Sequence, residues 1–327
     1  MSGARVRRLL LALLPWIVSG AALAYVFGYA IDWQSIPAAA ADANVPLFIA
    51  IIVADKVLFF LFWGIVQAEL LRRFLGPVSR RNILAVKGGA ELMRAVNNPA
   101  ADAAFLIGVS QLTRGGTAAV VTVASIPFVC HFLVLLLQAT LSLGLLAGGP
   151  KGNPDVLTLV VLGWSVVAFV AVSVRMGWWR RLLEASGVAS RLGHLSARQL
   201  LPWVGLFILF ATFDLLIQGS ATRAFGVSVD WTALMARLPM LYVMLALPSL
   251  GNFGTREIAW TYCFAEFGTR EALIAYALWT NVIFLIMHVL IGMLFFRRAL
   301  ELLREVRRAR REGEVLPRPL LHDAIDP

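Results

Sequence analysis

Charge is scarce in this chain, and lysine is scarcer still. Only 15% of its 327 residues are Asp, Glu, Lys or Arg, and of the 29 basic residues just Lys56, Lys87 and Lys151 are lysine. Cysteine is limited to Cys130 and Cys263. Both lie in apolar sequence without a Cys-x-x-Cys, which excludes a disulfide framework and the zinc and redox motifs built on that spacing. They are expected as buried free thiols packing like small hydrophobes. The chain holds no Asp-Asp-x-x-Asp, no clustered His and Glu and no nucleophile motif, so no metal, cofactor or hydrolytic site is expected.

What is abundant is apolar sequence. Hydrophobic residues make up 60% of the chain, in repeated runs of about 20 residues, the length a helix needs to cross the hydrocarbon core. Six such runs are read: 9–30, 46–68, one within 117–147, 156–174, 200–219 and 271–296. The first could be a secretory signal, with Arg5, Arg7 and Arg8 before it and Ala21-Ala-Leu-Ala inside it. At about 22 residues it is long enough to span, and an uncleaved helix is the favoured reading. The net charge of +10 does not point to nucleic acid. The basic residues sit in short clusters beside the apolar runs, and no soluble domain remains to bind DNA.

The clusters set an orientation. Arg5, Arg7 and Arg8 precede the first run, Arg72, Arg73, Arg80, Arg81 and Lys87 follow the second, and Arg175, Arg180, Arg181, Arg191 and Arg198 follow the fourth. Arg297 to Arg318 follow the last. The loops 31–45 and 148–155 carry between them only Lys151 as a basic residue. By the positive-inside rule both termini are cytoplasmic, in a bacterial-type inner membrane. Six crossings then leave 82–115 and 232–268 to enter and leave by one face as re-entrant hairpins. The expected fold is all-α: a polytopic helical membrane protein with about six full spans and two re-entrant helical hairpins in an inverted repeat, a recurring transporter plan. Its halves would be 1–148 and 149–298. A basic tail, 299–327, would follow, with 299–311 as a helix on the anionic leaflet. Weak symmetry agrees: Asn98-Pro99 and Pro248 open the two turns, and Gly116-Thr117 and Gly268-Thr269 precede the spans that follow.

Polar residues inside the apolar runs are the candidate site, because charge there faces a cavity or a partner. The strongest signal is Pro248-Ser-Leu-Gly251-Asn-Phe-Gly254-Thr-Arg256-Glu257. Broken backbone at membrane depth is tolerated only where protein buries it or water reaches it. The glycines allow close approach of backbone to a ligand, and an arginine beside a helix N-terminus is a receptor for phosphate. The competing reading is an internal Arg256–Glu257 salt bridge that closes the hairpin. Asn98 and Asp102 are the candidates at the first turn. Asp55 and Lys56, neighbours about 100° apart on a helix, cannot simply pair with each other. They lie on a transport path or pair with another helix, and both readings stay open. Glu91 and Arg94 share a helical face, read as solvated or at headgroup level. Asp214 is either an ion-coupling carboxylate or, favoured by its place near the interface, one that reaches water. His131 and His288 read as hydrogen-bonded structural histidines, Gln138 and Asn281 as helix–helix glue, and Trp178-Trp179 as an interface anchor.

At Pro248–Glu257 the chain resembles the flippase-like family related to the transmembrane domain of lysylphosphatidylglycerol synthases, which carries a Pro, a glycine-rich turn and Gly-x-Arg-Glu before its last span. Phe267-Gly-Thr-Arg-Glu-Ala-Leu and the final apolar run fit as well. The family's earlier motif, an Asn followed by Pro-Gly-Arg and Gly-Glu, reads here Asn97-Asn-Pro-Ala-Ala-Asp-Ala-Ala-Phe105. The Asn-Pro is present and the Gly, Arg and Glu are not, so the resemblance implies a diverged member with a different, less charged lipid. It implies lipid translocation, with membrane lipids and lipid-biosynthesis enzymes as candidate partners. Aminoacyl transfer is not expected, as no soluble catalytic domain follows the last span. The alternatives are an integral membrane enzyme acting on lipids or isoprenoids and a non-transporting scaffold in an envelope-lipid pathway.

Overall fold

The computed structural model describes residues 43–76, 78–113, 116–146, 153–178, 197–247 and 251–312, with isolated positions elsewhere. The expected first span 9–30, Lys151, Pro248 and the end of the tail lie outside the described residues, apart from isolated positions in that span. Among the described residues all regular structure is helical. The helices are α1 (Val45–Leu75), α2 (Arg80–Arg94), α3 (Asn98–Leu112), α4 (Thr117–Leu143), α5 (Pro154–Arg175), α6 (Ala197–Ala224), α7 (Trp231–Leu245), α8 (Thr255–Phe264) and α9 (Arg270–Arg311). Five of them, α1, α4, α5, α6 and α9, are long and apolar enough to cross a membrane. They coincide with the five expected spans that fall on described residues, and the chain is a helical membrane protein.

Caps and breakers explain the boundaries. Asn44 accepts from the Leu47 amide at 3.2 Å to start α1, which ends at Gly76 with φ 102°. Ser79 caps α2, Asn97 caps α3 through the Ala100 amide at 2.9 Å, and Thr269 caps α9. Each cap satisfies an amide that the first turn leaves without a partner. The other helices fall short of a span. At 1.5 Å per residue the 15-residue α2, α3 and α7 reach about 22 Å and the 10-residue α8 about 15 Å, against a hydrocarbon core of about 30 Å.

Of the three hydrophobic clusters among the described residues, the two larger lie toward opposite ends. One gathers Leu71, Val78, Ile83, Leu302 and Val306, joining the end of α1 and the start of α2 to the far end of α9. The arginines of 72–81 and 297–311 therefore share this end. The other core gathers Phe48, Phe225, Leu234, Trp260 and Tyr276, from the start of α1, the end of α6, α7, α8 and the start of α9. The tail helix expected from residue 299 is not a separate element. α9 runs unbroken for 42 residues, about 63 Å, and Leu302 and Val306 are fully buried. Glycine lets α2 approach α9 this closely: a Cβ at Gly88 would collide with Phe295, one at Gly89 with Ala299 and one at Gly292 with Leu92. Small residues at a helix contact serve this purpose in membranes.

Candidate functional site

Asp55 and Lys56 stand side by side on α1 and turn to different neighbours. Lys56 faces α2, where its Nζ donates to Glu91 Oε2 at 2.9 Å. His288 Nδ1 of α9 lies 2.7 Å from the same oxygen, and Arg94 Nε donates to Glu91 Oε1 at 3.0 Å. Arg94 continues to Asp102 through its second nitrogen. The result is a chain of groups, Lys56–Glu91–Arg94–Asp102, drawn from three helices. Glu91 is only 2% exposed. The expectation of a solvated Glu91–Arg94 face is thus corrected: the polar stripe of α2 points inward, because its glycine face is occupied by α9.

These groups line the polar end of a cavity of about 460 Å³. Lys87 joins them, donating to Gln67 Oε1 at 2.8 Å, with its ammonium 5.1 Å from the centre of the Phe105 ring. Among the described residues no carboxylate pairs with Lys87. The polar end thus holds three cations, Lys56, Lys87 and Arg94, against two carboxylates, Glu91 and Asp102. The rest of the wall is apolar and aromatic, with Phe59 and Trp63 from α1 and Phe128, Leu135 and Leu159 from two further helices, α4 and α5. An amphiphile with an anionic head matches such a lining, since a buried net positive charge is stabilised by an opposite one.

Asp55 turns the other way. It lines a second cavity of about 210 Å³ together with Asp214 of α6 and otherwise apolar side chains such as Phe62 and Phe213. Asp214 accepts from the Tyr242 hydroxyl and is 6% exposed, so the favoured reading of a carboxylate reaching water is also corrected. Its neighbour Gln218 accepts from the Tyr276 hydroxyl at 3.2 Å.

The glycine-rich break is a tight left-handed turn. Gly251, Asn252 and Gly254 have φ of 55°, 64° and 79°, a region open to glycine and tolerated by asparagine. The turn meets the start of α3: Asn98 Nδ2 donates to Asn252 Oδ1 at 3.2 Å. A Cβ at Gly251 would sit 3.3 Å from the Ala95 carbonyl. The two interrupted regions therefore touch at their turns. Asn281 of α9 clamps the junction, donating to the Asn252 carbonyl at 3.2 Å and to Glu257 Oε1 at 2.9 Å.

Arg256 and Glu257 are both buried and no ion pair joins them among the described residues. Arg256 lies over the Phe284 ring at 4.9 Å, and among the described residues its Nε and Glu257 Oε2 have no hydrogen-bond partner. Neither residue lines the larger cavity. Arg256 instead interacts by charge with Asp55, Asp214 and Glu257. Of the eight sequence candidates, Lys56 and Asp102 belong to the cationic cavity, Asp55 to the second cavity, and Asn98, Gly251, Gly254, Arg256 and Glu257 to the junction between the turns. Lys87, Glu91 and Arg94 complete the polar end of the cavity and were not expected in it, and His288 supports Glu91 from α9. Lys87 and Glu91 are four residues apart and Arg94 three further, a spacing that places all three on one helical face. The Gly88-Gly89 pair was the signal that a partner helix occupies the adjacent one.

Comparison of the chain with protein-family models, with curated proteins and with solved structures found no match.

Proposed function

We propose that this protein is a lipid transporter of the flippase type, moving a lipid with an anionic headgroup across a bacterial-type cytoplasmic membrane. The observation that carries the reading is the cationic end of a cavity whose remaining wall is aromatic and aliphatic. The head would sit among Lys56, Lys87 and Arg94, and the chain would lie along Phe59, Trp63 and Phe128. The charge expected from the missing Gly-Arg-Glu of the first turn is supplied from α2 instead, which favours an anionic head over the less charged one.

The architecture supports transport in a second way. Two pairs of helices too short to span, α2–α3 and α7–α8, meet at their turns, as an inverted repeat with six spans and both termini cytoplasmic would require. In this arrangement Arg256 and Glu257 act at the junction, holding charge between the turns, and the headgroup is gripped from α1 and α2. The test is reconstitution into vesicles containing a fluorescent phosphatidylglycerol. Wild type should expose the inner-leaflet probe to an impermeant quencher, and Lys87→Met should lower that rate at least tenfold. Equal rates in protein-free vesicles and in wild type would remove the reading. Cysteines at Asp155 and Arg308 test the orientation: an impermeant thiol reagent applied outside cells should label the first and not the second.

A further inference from the structure

We propose that Asp55 and Asp214 form a proton-binding site, loaded from the cationic cavity through the hydroxyl of Tyr242. Both carboxylates line the 210 Å³ cavity and both are about nine-tenths buried. Asp55 accepts no hydrogen bond among the described residues, although a buried carboxylate ordinarily has several donors. Asp214 has one firm donor, Tyr242, and a weak one, Gln218 Nε2 at 3.5 Å. Among the described residues one guanidinium, Arg256, acts by charge on both carboxylates, and it shares that charge with Glu257. Two carboxylates in one apolar site favour sharing a proton over holding two charges.

The groups around the pair come from every side. Lys56 follows Asp55 on α1 but is engaged by Glu91. Arg256 approaches from α8, Tyr242 from α7 and Tyr276 from α9, the last through Gln218. His131 of α4 lies against Tyr242, ring centres 6.4 Å apart. A sodium ion would need about five or six oxygens, and the wall of this cavity provides two carboxylates and hydrocarbon. The occupant that fits is a proton.

Tyr242 supplies the route. It lines the larger cavity and also donates to Asp214. A hydronium in the larger cavity gives a proton to the Tyr242 oxygen as the phenol passes its own to Asp214 Oδ2. The phenol is restored, the hydronium becomes water and the pair gains one proton. On the reading that the chain moves lipid, this proton couples headgroup binding in one cavity to charge in the other.

The experiment is carbodiimide labelling of the full-length protein in phospholipid vesicles. Dicyclohexylcarbodiimide adds to protonated carboxyls in apolar surroundings, and mass spectrometry locates the adduct. We expect one adduct per chain, on Asp55 or Asp214, falling as pH rises and unchanged when sodium chloride replaces choline chloride. Asp55→Asn and Asp214→Asn should each abolish or relocate it, and after a downward pH jump Tyr242→Phe should regain labelling about tenfold more slowly or worse. No adduct on the pair at any pH in the wild-type protein would overturn the proposal, and so would an adduct that sodium suppresses at fixed pH. Labelling needs no lipid movement. An adduct with the expected pH dependence in a protein that moves no lipid would therefore uphold the proton site while removing the transport reading.

Discussion

Asp55 and Lys56 are consecutive residues of one helix, and they belong to opposite electrostatic regions. Among the described residues every charge but one on the Lys56 side is matched. Glu91 takes Lys56, Arg94 and His288, Arg94 also takes Asp102, and Lys87 has an amide and a ring but no carboxylate. On the Asp55 side carboxylates outnumber cations and hydrogen bonds are few. A buried charge with one matched partner holds structure, and one without a partner is tolerated only where a ligand or a proton compensates it. The difference separates what holds the helices together from what they bind. Lys87 and Asp55 fall in the second class, and Glu91 is the centre of the first.

The largest expected effect strikes that centre. Glu91→Gln leaves Lys56 buried without a carboxylate and Arg94 with Asp102 alone, and should destabilise by about 3–5 kcal/mol, read as a lowered unfolding midpoint in detergent. A loss under 1 kcal/mol would break the comparison. Asp55→Asn should behave oppositely. No hydrogen-bond donor is orphaned, so stability should change by about 1 kcal/mol or less, although the residue is as deeply buried as Glu91 on the same measure, 6% against 2% exposed. The same unfolding assay decides it; this change in stability is the smallest of the single substitutions, and a loss as large as that of Glu91→Gln would erase the distinction.

Between these lies the junction. Gly254→Ala forces a Cβ into φ 79° and should cost about 1–2 kcal/mol. It should also displace Arg256, which follows two residues later, and so lower transport more than stability alone explains. A pairwise effect of similar small size concerns the two turns. Asn98→Ala and Asn252→Gly, the latter keeping the left-handed conformation accessible, should show a coupling of about 1 kcal/mol in a double-mutant cycle. Additive losses would mean that the 3.2 Å contact contributes nothing.

Hydropathy made the long spans legible, because apolar length is a local property of sequence. The breaks were equally legible at Asn98-Pro99 and Gly251–Gly254, where proline and glycine interrupt apolar runs. The inward turn of α2 was not. An amphipathic stripe such as Lys87, Glu91 and Arg94 has the same period whether it faces headgroups or a protein cavity, and only α9 packed on Gly88 and Gly89 decides between them. As a basic residue beside an apolar run Lys87 marks the cytoplasmic side, a signal that takes no account of depth. Asp214 was placed near the interface by its position along the run, yet Tyr242, 28 residues away in sequence, covers it. Arg256 was legible as a buried charge but not its surroundings, since the charges that act on it, Asp55 and Asp214, belong to two other helices.

The central claim is that the unmatched cation of the larger cavity holds an anionic lipid head. The most direct measurement is mass spectrometry of lipids that co-purify with wild type and with Lys87→Gln from the same membranes, normalised to protein. Anionic phospholipid should be enriched over its membrane abundance in wild type, and reduced to membrane abundance in Lys87→Gln with the unfolding midpoint retained. An unchanged lipid profile in a folded Lys87→Gln protein would contradict it.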